Sequence, residues 1–172
     1  MNPNSSILSR FVPDLVVNSV SEIPLDRLEQ AGIRGFLFDL DNTLLAHYGQ
    51  VVEPDIVEWL AAAEARGFRL AMVTNASRQR ALPLADELNM PCIYRARKPL
   101  RRGVQAGVET LDLPPEQVAM VGDQLFTDVW AGRRAGTFTI WVRPENPEEP
   151  LTTSFKRPLE WLLVRFADID RA

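Results

Sequence analysis

At 172 residues, 46% apolar and 24% charged, the chain can bury a core without covalent staples and has an ordinary globular balance. A formal net charge of −4 argues against a generic nucleic-acid binder, while leaving room for a local basic patch. Cys92 is the only cysteine and His47 the only histidine, which excludes an intramolecular disulfide and a Cys/His zinc site and leaves carboxylates as the plentiful metal ligands.

Short apolar runs alternate with helical stretches, the pattern of an α/β fold built on a mostly parallel sheet. The run from Gly35 to Leu40 reads as a buried first strand. Glu53 to Arg66 predicts a helix opened by Pro54 and stopped by Gly67, and Phe68 to Val73 a second strand. Ser77 is placed to cap a helix running to about Asn89. Cys92 to Tyr94 reads as a short third strand, with Cys92 a small apolar residue within it, and a helix follows from Pro99 to Leu111. Val118 to Val121 gives a fourth strand, Phe126 to Ala135 a helix, and Thr137 to Val142 a fifth strand. Pro144, Pro147, Pro150 and Pro158 mark an irregular connection from Arg143, and Leu159 to Ile169 reads as a final helix. The whole chain is expected to form one domain. No apolar run reaches the roughly eighteen residues of a membrane span, and no basic stretch leads into an apolar core at the N-terminus, so the reading is cytoplasmic.

In open parallel sheets, ligands bind beyond the carboxyl ends of the strands, so residues just after each strand converge on one crevice. Here those residues are Asp39 and Asp41, then Thr74 and Asn75, then Lys98, then Asp123 and Asp128. Clustered carboxylates repel one another unless a cation joins them, and magnesium, with water and a phosphate oxygen in its remaining positions, suits them. Phosphoryl transfer needs in-line positioning and neutralised equatorial oxygens, which a metal, Lys98 and the Thr74 hydroxyl can provide. Asp39 and Asp41, two positions apart on an ideal strand, can flank one phosphorus, one as nucleophile and the other as general acid. Thr43 either braces the turn after the strand or touches phosphate.

Phe-Leu-Phe-Asp-Leu-Asp-Asn-Thr-Leu-Leu, beginning at Phe36, resembles the first motif of the haloacid dehalogenase (HAD) superfamily. Met-Val-Thr-Asn, Arg-Lys-Pro and Gly-Asp-Gln-Leu-Phe-Thr-Asp resemble the second, third and fourth, and the likeness spans Gly35 to Val142. It implies a Rossmann-like sheet of about five strands in the order 5-4-1-2-3, with helices on both faces. It implies Asp39 as nucleophile and metal ligand, and Asp41 as acid/base that also lends its carbonyl to Mg2+. Thr74, Asn75 and Lys98 would hold the phosphoryl group, Asp123 the metal, and Asp128 would support Lys98 or the metal's waters.

The intervals from Thr43 to Thr74 and from Asn75 to Lys98 are too short for the cap domain that many superfamily members carry. The layout, with Phe11-Val-Pro and the helix before Gly32, is similar to the capless YqeG-type phosphatases, whose relatives include phosphatidylglycerophosphate phosphatases. The implied activity is Mg2+-dependent hydrolysis of a phosphomonoester, with a lipid phosphate head group preferred. A soluble nucleotide, sugar phosphate or phosphoprotein is the alternative substrate, and a non-catalytic scaffold the alternative class. The basic run Arg95 to Arg102 reads either as a solvated face or as a contact for an anionic substrate or membrane surface. His47 and Tyr48 lie in a loop after the first motif. Trp161, on the polar side of the final helix, is either covered by the proline-rich connection or anchored at a membrane interface. The sequence leaves the oligomeric state open.

Overall fold

The computed structural model describes residues 11–45 and 51–144. Its strands are β1 (Leu15–Val17), β2 (Gly35–Phe38), β3 (Arg69–Val73), β4 (Cys92–Ile93), β5 (Val118–Gly122) and β6 (Phe138–Val142), and its α-helices are α1 (Leu25–Gln30), α2 (Pro54–Ala65), α3 (Arg78–Glu87), α4 (Arg101–Leu111) and α5 (Trp130–Ala135). The strands form one sheet in the order β1-β6-β5-β2-β3-β4. Every neighbouring pair is parallel.

Successive side chains of a strand face opposite sides, and β2 shows why its apolar run is continuous rather than alternating. Phe36 and Phe38 enter one core with Ile56, Trp59 and Leu60 of α2 and Ala81 and Leu84 of α3. Leu37, between them, enters a second core with Val104 and Val108 of α4 and Ala131 of α5. Helices therefore cover both faces, and each fully buried aromatic of β2 contributes about 1.5–3 kcal/mol. Phe36 meets the Trp59 ring edge-on at 5.2 Å, and the Trp59 indole N–H donates to the Ile23 carbonyl at 2.9 Å.

Helix α2 ends as its sequence dictates. Gly67 takes φ +86°, its N–H donates to Glu64, and the Phe68 N–H donates back to Ala63, so the last carbonyls are satisfied and the chain turns straight into β3. Ser77 does occupy the position before α3, but its side chain makes no capping hydrogen bond.

The sheet has six strands rather than about five. The strands expected from the sequence keep the order 5-4-1-2-3, and β1 adds to the edge, Leu15 to Val17 pairing with Ile140 to Val142. Three residues are too few to show a periodicity. What holds β1 is Asp14, whose carboxylate accepts from the Thr139 N–H and hydroxyl, both at 2.8 Å, and pairs with Arg133 at 2.7 Å. The helix expected from Phe126 is also modified. Leu125–Val129 is a single π-helical turn, and only from Trp130 does it become α5.

Among the described residues no cap interrupts the fold. Between β2 and β3 the described chain holds a turn through Leu45 and α2, and between β3 and Lys98 it holds α3 and the two-residue β4. Among the described residues no helix is long and apolar enough to cross a membrane. His47, Tyr48, Trp161 and the expected final helix lie outside the described residues.

Candidate active site

The carboxyl ends of β2, β3 and β5, with the loop after β4, bring the expected residues together. The Asp39 N–H donates to the Val121 carbonyl at 2.9 Å, carrying the β2–β5 pairing one step past the strand and fixing where the Asp39 carboxylate starts. On the other side, Thr74 extends β3. Its N–H donates to Ile93, and its carbonyl accepts from the Ala96 N–H, which ties the chain after β4 to the same edge.

Lys98 occupies the centre. Its side chain is 1% exposed, and its ammonium lies 2.8 Å from Asp39 Oδ1 and 2.7 Å from Asp128 Oδ1. Asn75 fixes the backbone beneath it. The Asn75 carbonyl oxygen accepts from the Lys98 N–H at 2.7 Å, and its amide donates to the Lys98 carbonyl at 3.0 Å. The sequence suggested Asn75 as a phosphate contact; in the structure both ends of its amide hold the lysine loop.

Asp128 reaches Lys98 because of the π-helical turn and Gly122. The Gln124 N–H donates to Asp128 Oδ2 at 3.0 Å, so each carboxylate oxygen has a partner. A Cβ on Gly122 would lie 2.3 Å from Asp128 Oδ2, so only glycine lets the two approach. Burial pushes the Asp128 carboxyl up to about 6, with Lys98 pulling against it and the Asp39 charge adding to it. For Lys98, burial disfavours the charged form, yet Asp128 and Asp39 outweigh it and raise the ammonium above its ordinary value.

Asp123 stands at the same strand end, 3% exposed. Its carboxylate accepts from the Asn42 amide at 3.2 Å, and its backbone carbonyl from the Trp141 indole at 2.7 Å. Oxygens of Asp39, Asp123 and Asp128 lie within 4.8 Å of one another. Three buried carboxylates gathered this closely repel one another, which a divalent cation between them would offset. All-oxygen donors favour a hard ion such as magnesium.

The threonines differ. Thr74 Oγ1 accepts from the Ala76 N–H at 3.1 Å, which leaves its O–H to donate elsewhere. Thr43 Oγ1 is buried and has no hydrogen-bond partner among the described residues. A buried hydroxyl in that state is costly until something binds beside it.

Asp41 is set apart from this group. Its side chain is 42% exposed, and Oδ1 accepts from Arg80 Nε at 3.0 Å and Nη2 at 2.5 Å. The sequence reading missed Arg80, Asn42 and Trp141. Trp141 was within reach, since it pairs in register with Gly122. Arg80 leaves a fainter trace, as a cation in the first turn of a helix opposes the helix dipole and implies an acidic neighbour. The basic run divides: Lys98 points inward, while Arg95, Arg97, Arg101 and Arg102 are exposed and have no acidic partner among the described residues.

The sequence profile of haloacid dehalogenase-like hydrolases matches residues 49–136. The chain is 33% identical over 150 residues to the probable phosphatase YqeG of Bacillus subtilis (strain 168), covering 87% of each. It is 31% identical over 155 residues to the chloroplastic phosphatidylglycerophosphate phosphatase 1 of Chlamydomonas reinhardtii, covering 85% of this chain and 55% of that one. Among solved structures, a HAD phosphatase from Thermococcus onnurineus aligns with a TM-score of 0.50 at 26% identity, over 60% of this chain and 50% of that one.

Proposed function

Because this chain belongs to the haloacid dehalogenase-like hydrolases, we propose that it is a phosphatase that cleaves a phosphomonoester through an acyl phosphate on Asp39, with a lipid phosphate head group as its preferred substrate. The observation that carries the reading is the buried Lys98 ammonium held between Asp39 and Asp128, with Asp123 alongside. Lys98 holds Asp39 in place and offers positive charge to the phosphoryl oxygens. The spare Thr74 O–H and the unpartnered Thr43 hydroxyl are further donors toward that group.

In the first half-reaction an Asp39 oxygen attacks phosphorus, the bond from phosphorus to the leaving oxygen breaks, and Asp41 gives that oxygen a proton. In the second, Asp41 takes a proton from water as the water oxygen attacks phosphorus. The bond to Asp39 breaks and inorganic phosphate leaves. Asp39 and Asp123, with the Asp41 carbonyl, are the proposed ligands of Mg2+, because both oxygens of Asp128 are already engaged. When bound, Mg2+ would supply neutralisation of phosphoryl charge.

The lipid preference rests on three supports. Relatives bear the name phosphatidylglycerophosphate phosphatase. The capless site leaves room for a bulky substrate. Arg95, Arg97, Arg101 and Arg102 face outward beside Lys98, with Tyr94 and Leu100 exposed among them, so an anionic membrane surface is the proposed peripheral contact. One observation favours a soluble substrate: a phosphoserine phosphatase of Thermus thermophilus is 33% identical over 55% of the chain.

The test is turnover of p-nitrophenyl phosphate with Mg2+, followed by a panel of phosphatidylglycerophosphate, glycerol phosphate, phosphoserine, a nucleotide and a sugar phosphate. The reading expects activity lost in Asp39→Asn and highest kcat/KM for the lipid. Activity retained in Asp39→Asn removes the mechanism. A soluble ester turned over fastest removes the lipid assignment and leaves the phosphatase.

A further inference from the structure

We infer that Arg80 is the positioning residue of the second half-reaction, holding Asp41 so that it can take the proton from the attacking water. The inference rests on the acid/base role proposed for Asp41. Arg80 lies in the first turn of α3, at the positive end of the helix dipole, where a cation is unfavourable without a local anion. Its guanidinium directs Nε and Nη2 onto one oxygen, Asp41 Oδ1, and this is the only side-chain partner of Asp41 among the described residues. The pairing raises the Arg80 guanidinium, chiefly through those hydrogen bonds.

Without that hold, Asp41 is a half-exposed side chain at the edge of a turn, free to rotate among staggered rotamers. With it, Oδ1 is committed and Oδ2 is left open in a fixed direction. A guanidinium only donates, so Oδ1 stays its acceptor and the proton is exchanged at Oδ2. Accepting a proton is the task of the second half-reaction, in which water loses a proton to Asp41 while its oxygen bonds to phosphorus and the bond to Asp39 breaks. Exposed guanidinium–carboxylate pairs add little stability, so this one is better understood as orienting the carboxyl than as holding the fold together.

The consequence is kinetic and separable. With p-nitrophenyl phosphate the leaving group departs without an acid's help, so kcat/KM reports the first half-reaction and kcat reports hydrolysis of the phospho-Asp39 enzyme. Rapid-quench reactions of the full chain with 32P-labelled p-nitrophenyl phosphate and Mg2+ would compare native, Arg80→Ala, Arg80→Lys and Asp41→Asn proteins. Steady-state label on the Asp39 peptide, at a substrate concentration well below the native KM, is measured beside kcat and KM. Arg80→Ala should lower kcat and KM together by about tenfold, part of the usual acid/base contribution, with kcat/KM nearly unchanged and label accumulating on Asp39. Arg80→Lys should recover part of the loss, since one ammonium cannot reproduce the fork. A fall in kcat/KM matching the fall in kcat, with no accumulated label, overturns the inference, as does a variant indistinguishable from native. If Asp41→Asn accumulates label and Arg80→Ala does not, Arg80 is excluded while the role of Asp41 stands. If no protein carries label on Asp39, the covalent mechanism falls and the inference falls with it.

Discussion

Two ion pairs meet the same small site under opposite conditions. Lys98 joins Asp39 and Asp128 with side chains 1–8% exposed, whereas Arg80 joins Asp41 with side chains 50% and 42% exposed. The first is fixed from every side, by the Asn75 amide below, the π-helical turn behind and the missing side chain of Gly122. The second has a fork and little else. A group that must hold a phosphoryl in one place needs the first kind of environment. A group that must exchange protons with a leaving group and with water needs the second.

The comparison breaks most completely if the buried pair turns out to be dispensable. Asp39→Asn keeps the shape and the Lys98 contact but removes the proposed nucleophile, so turnover of p-nitrophenyl phosphate should fall by about 10³-fold or more with an unchanged thermal melt. Lys98→Met should destabilise the metal-free protein by about 3–5 kcal/mol in urea titration, because it strands buried carboxylates without a counter-charge. A shift as small as that of a surface mutation would mean the pair is far more hydrated than its burial implies.

The metal sharpens the contrast. Mg2+ at about a hundred times its dissociation constant should raise native stability by about 2.7 kcal/mol, read as a higher melting temperature. Asp123→Ala should lose more of that gain than Asp128→Ala, and the reverse order would exchange their assignments. The smallest effect belongs to the exposed pair. Arg80→Ala should change unfolding free energy by no more than about 1 kcal/mol, so any large loss of activity in that variant is not a loss of fold.

Much of this site was legible in the sequence, for a physical reason. Parallel strands buried on both faces are apolar throughout, so their ends are abrupt, and the polar residues that follow stand out. Asp39, Thr74 and Asp123 sit at such ends, Lys98 stands in the loop beyond β4, and the strand order came with the family resemblance those motifs carry. Contacts between distant side chains were not legible. Nothing local in Asn75 says that both ends of its amide will grip Lys98, and nothing in Leu125–Val129 separates a π-helical turn from the start of an α-helix. Strand β1 was hidden for the same reason, since its reason to exist is Asp14 bonded to Thr139, 125 positions away.

That separation has a consequence for how the protein folds. Leu15–Val17 precedes the other strands in the chain, yet its sheet neighbour among the described residues is β6, the last of them. Pairing the two closes a long loop that holds all the other strands between its ends, a long-range contact whose entropy cost must be met by what the edge gains when it forms. The Asp14 carboxylate, with its bonds to Thr139 and Arg133, is what makes that closure hold.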